Sequence, residues 1–153
     1  MKNEEIQRFF DEKVPRNWFS SLTVESDGDE ILCVGVLPAD VTAEGFRESS
    51  RAERMALADA AQDLFRRKVS WGVTRDGVTT LFTHLGVPVM TRLRLRERKV
   101  LDTLIDAGVA RSRSEALAWC VKLVGRHESD WLGELRDALA GVENVRAGGP
   151  DLT

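Results

Sequence analysis

The chain has 153 residues, 42% of them hydrophobic, and a formal net charge of −3. This length fits one ordinary domain or two small ones, and the apolar content excludes a globally disordered chain. No apolar run approaches the length of a membrane span, and the charged start MKNEEIQRFFDEKVP lacks the apolar stretch of a secretory leader, so a cytoplasmic protein with no membrane partner is expected.

Ile6, Phe9 and Phe10 stand at helical spacing between Glu4 and Lys13, with Asn3 placed to cap the helix and Pro15 to stop it. Leu22 and Val24 alternate with polar residues, Asp27-Gly28 marks a turn, and the apolar run Ile31 to Val36 returns, a β-hairpin closed by Pro38. From about Ser50 to Lys68 the chain is rich in Ala, Arg, Glu and Leu without Gly or Pro, and Met55, Ala58, Ala61, Leu64 and Phe65 form an apolar stripe, which predicts one long helix. Val69, Trp71 and Val73 alternate, Asp76-Gly77 turns, and Leu81 to Leu85 returns as a second hairpin before Pro88. Ser21, Val24, Asp27, Gly28 and Leu32 match Ser70, Val73, Asp76, Gly77 and Leu81 at a constant spacing of 49. Residues 1–88 therefore read as a duplicated helix-hairpin unit, one small four-stranded antiparallel sheet with two helices on a face.

The pattern changes after Pro88. Val89, Thr91, Leu93 and Leu95 alternate with Met90, Arg92, Arg94 and Arg96, as in a strand with one apolar edge and one row of long basic side chains. Helical spacing follows in Val100, Leu101, Leu104 and Ile105, and Gly108 is placed to end that helix. Ser112 followed by Glu115 is a capping box that opens a second helix. Its Leu117, Cys120, Val121 and Val124 lie on one face, with Trp119 and Leu123 beside them, and Gly125 is expected to end it. An apolar strip of that width predicts burial on two sides. Ser129 caps a third helix with Trp131, Leu132, Leu135, Ala138 and Leu139 on its apolar face, and the tail from Arg146 is expected to fray. The region from Val89 to Arg126 holds nine Lys/Arg against four Asp/Glu, a charge of +5, while the rest holds thirteen against twenty-one, or −8. One segment is thus suited to a polyanion on an otherwise acidic protein.

Strand, helix, glycine-containing turn and Ser-capped helix is an order that resembles the ribbon-helix-helix DNA-binding superfamily, the MetJ/Arc-like group. The residues that carry the resemblance are Arg92-Leu-Arg-Leu95, Leu101-Asp-Thr-Leu-Ile-Asp-Ala-Gly108 and Arg111-Ser-Arg-Ser-Glu-Ala-Leu117, about a quarter of the chain. Family ribbons commonly enter the first helix through Ser, Thr or Pro; here the junction is Arg96-Glu97-Arg98. The resemblance implies a homodimer whose paired strands enter the major groove of double-stranded DNA. Met90, Arg92 and Arg94 would face base edges. Arg96, Arg111, Ser112, Arg113 and Ser114 would meet phosphates, and Leu93, Leu95, Leu104, Leu117 and Val121 would build the dimer core. The overall reading is an α+β protein in three parts: residues 1–88 as a sensor, partner-binding or auxiliary DNA-binding domain, 89–127 as the ribbon-helix-helix unit, and 128–153 as a helix and tail.

The chemistry of an enzyme, a cofactor or a metal site is not expected. Cys33 and Cys120 stand among apolar neighbours with no ligand spacing, and His84 and His127 have no nucleophile or second ligand near them in sequence. His84 reads as a partly buried structural residue and His127 as solvent-facing. Arg66-Arg67-Lys68 favours a helix C-terminus, with an auxiliary phosphate contact as the sharper reading, and Trp18, Trp71 and Phe82 read as core. The expected function is a sequence-specific transcriptional regulator, its N-terminal domain open to a small-molecule or protein effector. The alternative is an antitoxin-like or adaptor module that uses the ribbon-helix-helix only to dimerise.

Overall fold

The computed structural model describes residues 2–150. Helix α1 (Lys2–Lys13) buries Ile6 and Phe10, one turn apart, against a four-stranded sheet. Asn3 lies inside this helix and accepts a hydrogen bond from Ser26 Oγ instead of capping it. Strands β1 (Ser21–Ser26) and β2 (Glu30–Val36) form the first hairpin, and β3 (Lys68–Arg75) and β4 (Val78–Leu81) the second. Each hairpin follows a helix, as the sequence predicts. The order is β1-β2-β3-β4, but β2 and β3 run parallel, so the sheet is mixed and not antiparallel. The reason lies in the connection. Two helices, α2 (Ala43–Ser49) and α3 (Arg51–Phe65), carry the chain from the end of β2 back to the end where it began, so β3 must run the same way.

Helix α3 is the one expected from about Ser50 to Lys68, ending three residues early, and α2 is an additional helix before it. Thr42 caps α2 through its side chain, and the chain turns at Ser50. The stripe read from composition is partly right: Ala61 and Phe65 are buried, but Met55 and Leu64 are exposed, and Arg54 takes a buried position. Arg66 adopts a left-handed conformation (φ 59°) and ends α3. Asp76 and Gly77 both have positive φ, the signature of a two-residue type I′ turn. At the other hairpin the Asp27 carboxylate accepts from the N–H groups of Asp29 and Glu30, and those bonds hold its pKa below the ordinary value. β4 stops at Leu81, short of the Leu85 expected, and His84 is exposed outside any strand.

The core of this half is aromatic. Phe10, Trp71 and Trp18 meet edge to face at 5.9 and 6.2 Å, and Ile31, Cys33 and Ala61 fill the space between sheet and helices. Burial pushes the Cys33 thiol pKa up, which fits a packing residue. Gly35 has the Phe19 ring where a Cβ would stand. Gly35→Ala is expected to displace that ring and cost about 1–3 kcal/mol, read as a lower urea midpoint with an unchanged slope.

The chain divides into two compact units, Met1–Val89 and Met90–Thr153. The last helix lies within the second unit. That unit contains α4 (Leu95–Asp106), α5 (Arg113–His127) and α6 (Ser129–Ala147). Gly125 sits inside α5, which continues to His127, and Ser129 lies within α6, whose start has no side-chain cap. The predicted fraying from Arg146 does not begin there, because α6 continues through Ala147; the last part of that tail, 151–153, lies outside the described residues. Among the described residues no helix is long and apolar enough to cross a membrane.

Candidate nucleic-acid interface

The second unit has a small core: Leu101 of α4, Ala110 of the turn and Ala116 of α5, with Leu93, Leu104, Ile105, Leu117 and Cys120 packed around it. The turn is built as the sequence predicts. Gly108 takes a positive φ of 78° and its N–H donates to Ile105 O, while Val109 N–H donates to Leu104 O. These two bonds are a Schellman motif, which only a residue tolerant of left-handed φ closes without strain.

Ser112 caps α5, its Oγ accepting from Glu115 N at 3.1 Å. The returning half of the capping box is displaced by one residue: Glu115 Oε2 accepts from Arg111 N at 2.9 Å rather than from Ser112. That bond holds the Glu115 carboxyl below its ordinary pKa. The N–H groups of Arg113 and Ser114 open the helix and have no acceptor within it, the usual geometry of an anion site. Arg113 itself is less available than its sequence position suggests. Its guanidinium forms two 2.9 Å bonds to the Asp102 carboxylate of α4, lowering the Asp102 pKa and raising its own. The Arg111 side chain is 93% exposed and reaches Glu115 at 3.4 Å.

The expected strand from Val89 is not a strand in the single chain. α4 begins at Leu95, so Leu95 and Arg96 lie in its first turn, and Arg94 stands at the cap without a side-chain cap bond. From Thr83 to Arg92 no residue takes part in a hydrogen bond among the described residues. Met90 is 96% exposed, and Arg92 and Arg94 are exposed with it. Leu93 alone turns inward, and its carbonyl accepts from the Arg98 guanidinium. The physical reason is plain: a strand needs a neighbour, and among the described residues no strand pairs with this segment. Of the residues expected in a dimer core, Leu93, Leu104 and Leu117 are half-buried in the single-chain core, whereas Leu95 and Val121 remain largely exposed. Val124, Trp131, Leu135, Leu139, Val142 and Val145 add further exposed apolar surface on α5 and α6.

The sequence missed this last feature in part, because it stopped the α6 stripe at Leu139. The spacing Trp131, Leu135, Ala138, Val142, Val145 carries it on. In the first unit, Arg66, Arg67 and Lys68 line a cleft of about 520 Å3 together with Asp29 and Asp63, so carboxylates offset the basic run there. Among the described residues no group of His, Cys, Asp or Glu is arranged to hold a metal ion.

Comparison with known proteins divides the chain in the same place. Residues 4–81 match the family described as the Rv1265-like protein N-terminal domain, and residues 94–146 the Mb1296 C-terminal domain. The chain is 51% identical to the uncharacterized proteins Rv1265 of Mycobacterium tuberculosis (strain H37Rv) and Mb1296 of Mycobacterium bovis, over 94% of this chain and 70% of theirs. No solved structure matches.

Proposed function

Starting from a chain that belongs to the Rv1265-like family, we propose that it is a homodimeric, sequence-specific DNA-binding regulator with a ribbon-helix-helix unit in its second half. One observation carries the reading. An exposed segment that alternates Arg with apolar residues leaves its backbone groups unpaired, immediately before two helices joined by a Gly108 turn and a Ser112 cap. A second copy laid antiparallel satisfies those groups and makes a two-stranded ribbon of the width the major groove admits.

In that ribbon Met90, Arg92 and Arg94 face base edges, and the arginine forks match guanine O6 and N7. The opening N–H groups of α5 at Arg113 and Ser114, with Ser112, Arg111 and Arg96 near them in sequence, meet the phosphates. With its guanidinium held by Asp102, Arg113 contributes its backbone N–H first. The dimer buries Leu95 and Val121 in addition to the half-buried Leu93, Leu104 and Leu117. The first unit takes the effector.

Fluorescence anisotropy with DNA fragments selected from the source genome tests the reading. Phosphate contacts give an affinity that falls linearly with salt on logarithmic axes, with a slope near −0.9 for each phosphate neutralised. A ribbon used only for dimerisation, as in an antitoxin-like or adaptor module, gives no salt-dependent binding.

A further inference from the structure

Arg54 is a charged side chain in a nearly dry position, only 8% exposed. Its Nε donates to Ser50 Oγ at 2.9 Å and its Nη2 to the Arg47 carbonyl at 2.8 Å, which fix the guanidinium in place. That group lies 4.8 Å from the centre of the Phe82 ring, and the Arg47 guanidinium 5.5 Å from the same ring. Arg51 joins them on the wall of a cavity of about 210 Å3, whose lining also includes Glu48 and Phe82. Among the described residues the ion pairs are Arg75–Asp76, Arg111–Glu115 and Arg113–Asp102, so none of the three arginines here has a carboxylate partner.

This arrangement is costly as it stands. A buried guanidinium is ordinarily matched by a carboxylate, and like charges held close repel. Burial and the neighbouring charges of Arg47 and Arg51 lower the Arg54 pKa, while Glu48 works weakly the other way. Attraction to the Phe82 face recovers part of the cost. Three positive charges against the one carboxylate of Glu48 leave +2 around the cavity. The guanidinium fork fits the oxygens of a tetrahedral oxyanion better than an ammonium would. A volume of about 210 Å3 has room for a phosphoryl group and a short organic stub. A backbone phosphate of duplex DNA is less suited, because Arg54 lies recessed and a wide polymer must reach it.

We propose that Arg47, Arg51 and Arg54, set around Phe82, form a binding site for a phosphate dianion, free or as the phosphomonoester of a small metabolite. The proposal gives the effector role of the first unit a chemical class and rests on that part of the proposed function. DNA reading by the second unit stands or falls separately, since the titration contains no DNA. The full chain is titrated calorimetrically with inorganic phosphate and with glycerol phosphate, against potassium chloride at equal ionic strength. Saturable binding of either ligand is expected, and the stronger one identifies the free anion or the monoester. Arg47→Gln and Arg51→Gln, both at exposed positions, are expected to weaken it at least tenfold with the melting temperature in chloride unchanged. Heats no larger than those of chloride, or binding indifferent to both substitutions, would overturn the proposal. So would a pair of variants that bind phosphate normally and lose DNA affinity, since the arginines would then serve the polymer.

Discussion

Replacing Arg92 and Arg94 together with alanine is expected to abolish sequence-specific DNA binding and leave the fold intact. Both side chains are exposed, and neither makes a side-chain hydrogen bond or ion pair among the described residues. Substitutions at such positions change stability by about 0.5 kcal/mol or less. In the proposed ribbon the same two side chains read bases, and a good bidentate contact is worth about 1–3 kcal/mol of discrimination. A dimer carries each arginine twice. Even at the low end this sums to about 4 kcal/mol, roughly a thousandfold in affinity. Anisotropy against a selected fragment and against a scrambled one of equal length reads the effect, with circular dichroism as the control for fold. The two fragments should become indistinguishable, both retaining the weak, salt-dependent binding that phosphate contacts supply. If the double variant still separates the fragments as the natural chain does, the ribbon does not read bases.

The same segment shows what a sequence can and cannot tell. Features set by a few neighbouring residues were legible. Gly108 ends α4 because positive φ at that point suits glycine, Ser112 caps α5 because its hydroxyl reaches an N–H three residues on, and Asp76-Gly77 turns because both residues tolerate left-handed φ. Features set by distant contacts were not. The direction of β3 against β2 depends on where α2 and α3 carry the chain, and nothing local at Val69 or Ile31 encodes it. The start of α3 near Ser50 was legible but the short helix α2 before it was not; the side chain of Ser50 donates to Phe46 O and accepts from Arg54, so the junction is held by contacts across α2 and α3. Gly125 misled in the opposite direction, since a glycine inside a helix costs only about 1 kcal/mol and need not end it. At the candidate site the alternation is not expressed in the single chain: Met90, Arg92 and Arg94 are exposed, but so are Val89, Thr91 and Leu95, because the segment forms no strand. The Arg113–Asp102 pair was invisible because its partners lie on different helices, and the arginine trio around Phe82 was invisible because an Arg-rich helix looks solvated until its neighbours are known.

Val121→Asp is expected to convert the dimer to a monomer and, with it, to eliminate operator binding. Within the single chain Val121 is 66% exposed, one turn after the half-buried Leu117 and one before the exposed Val124. Ala116, Leu117 and Cys120 of α5 already serve the core shared with α4, so 121 and 124 lie on a surface that the single chain leaves largely uncovered. In a monomer, aspartate at 121 meets water and costs little beyond helix propensity. In the proposed dimer it is buried twice, with no cation placed to receive it, and a buried unpaired charge is among the most destabilising substitutions known. The dimer dissociation constant should rise on the order of a hundredfold or more. Sedimentation equilibrium reads the assembly and circular dichroism the helices, which should persist. Operator affinity should collapse in parallel, because a ribbon of one strand has no partner to pair with. If Val121→Asp sediments as the natural chain does, this face of α5 is not where two copies meet, and the exposed segment at Met90 must find its partner strand elsewhere.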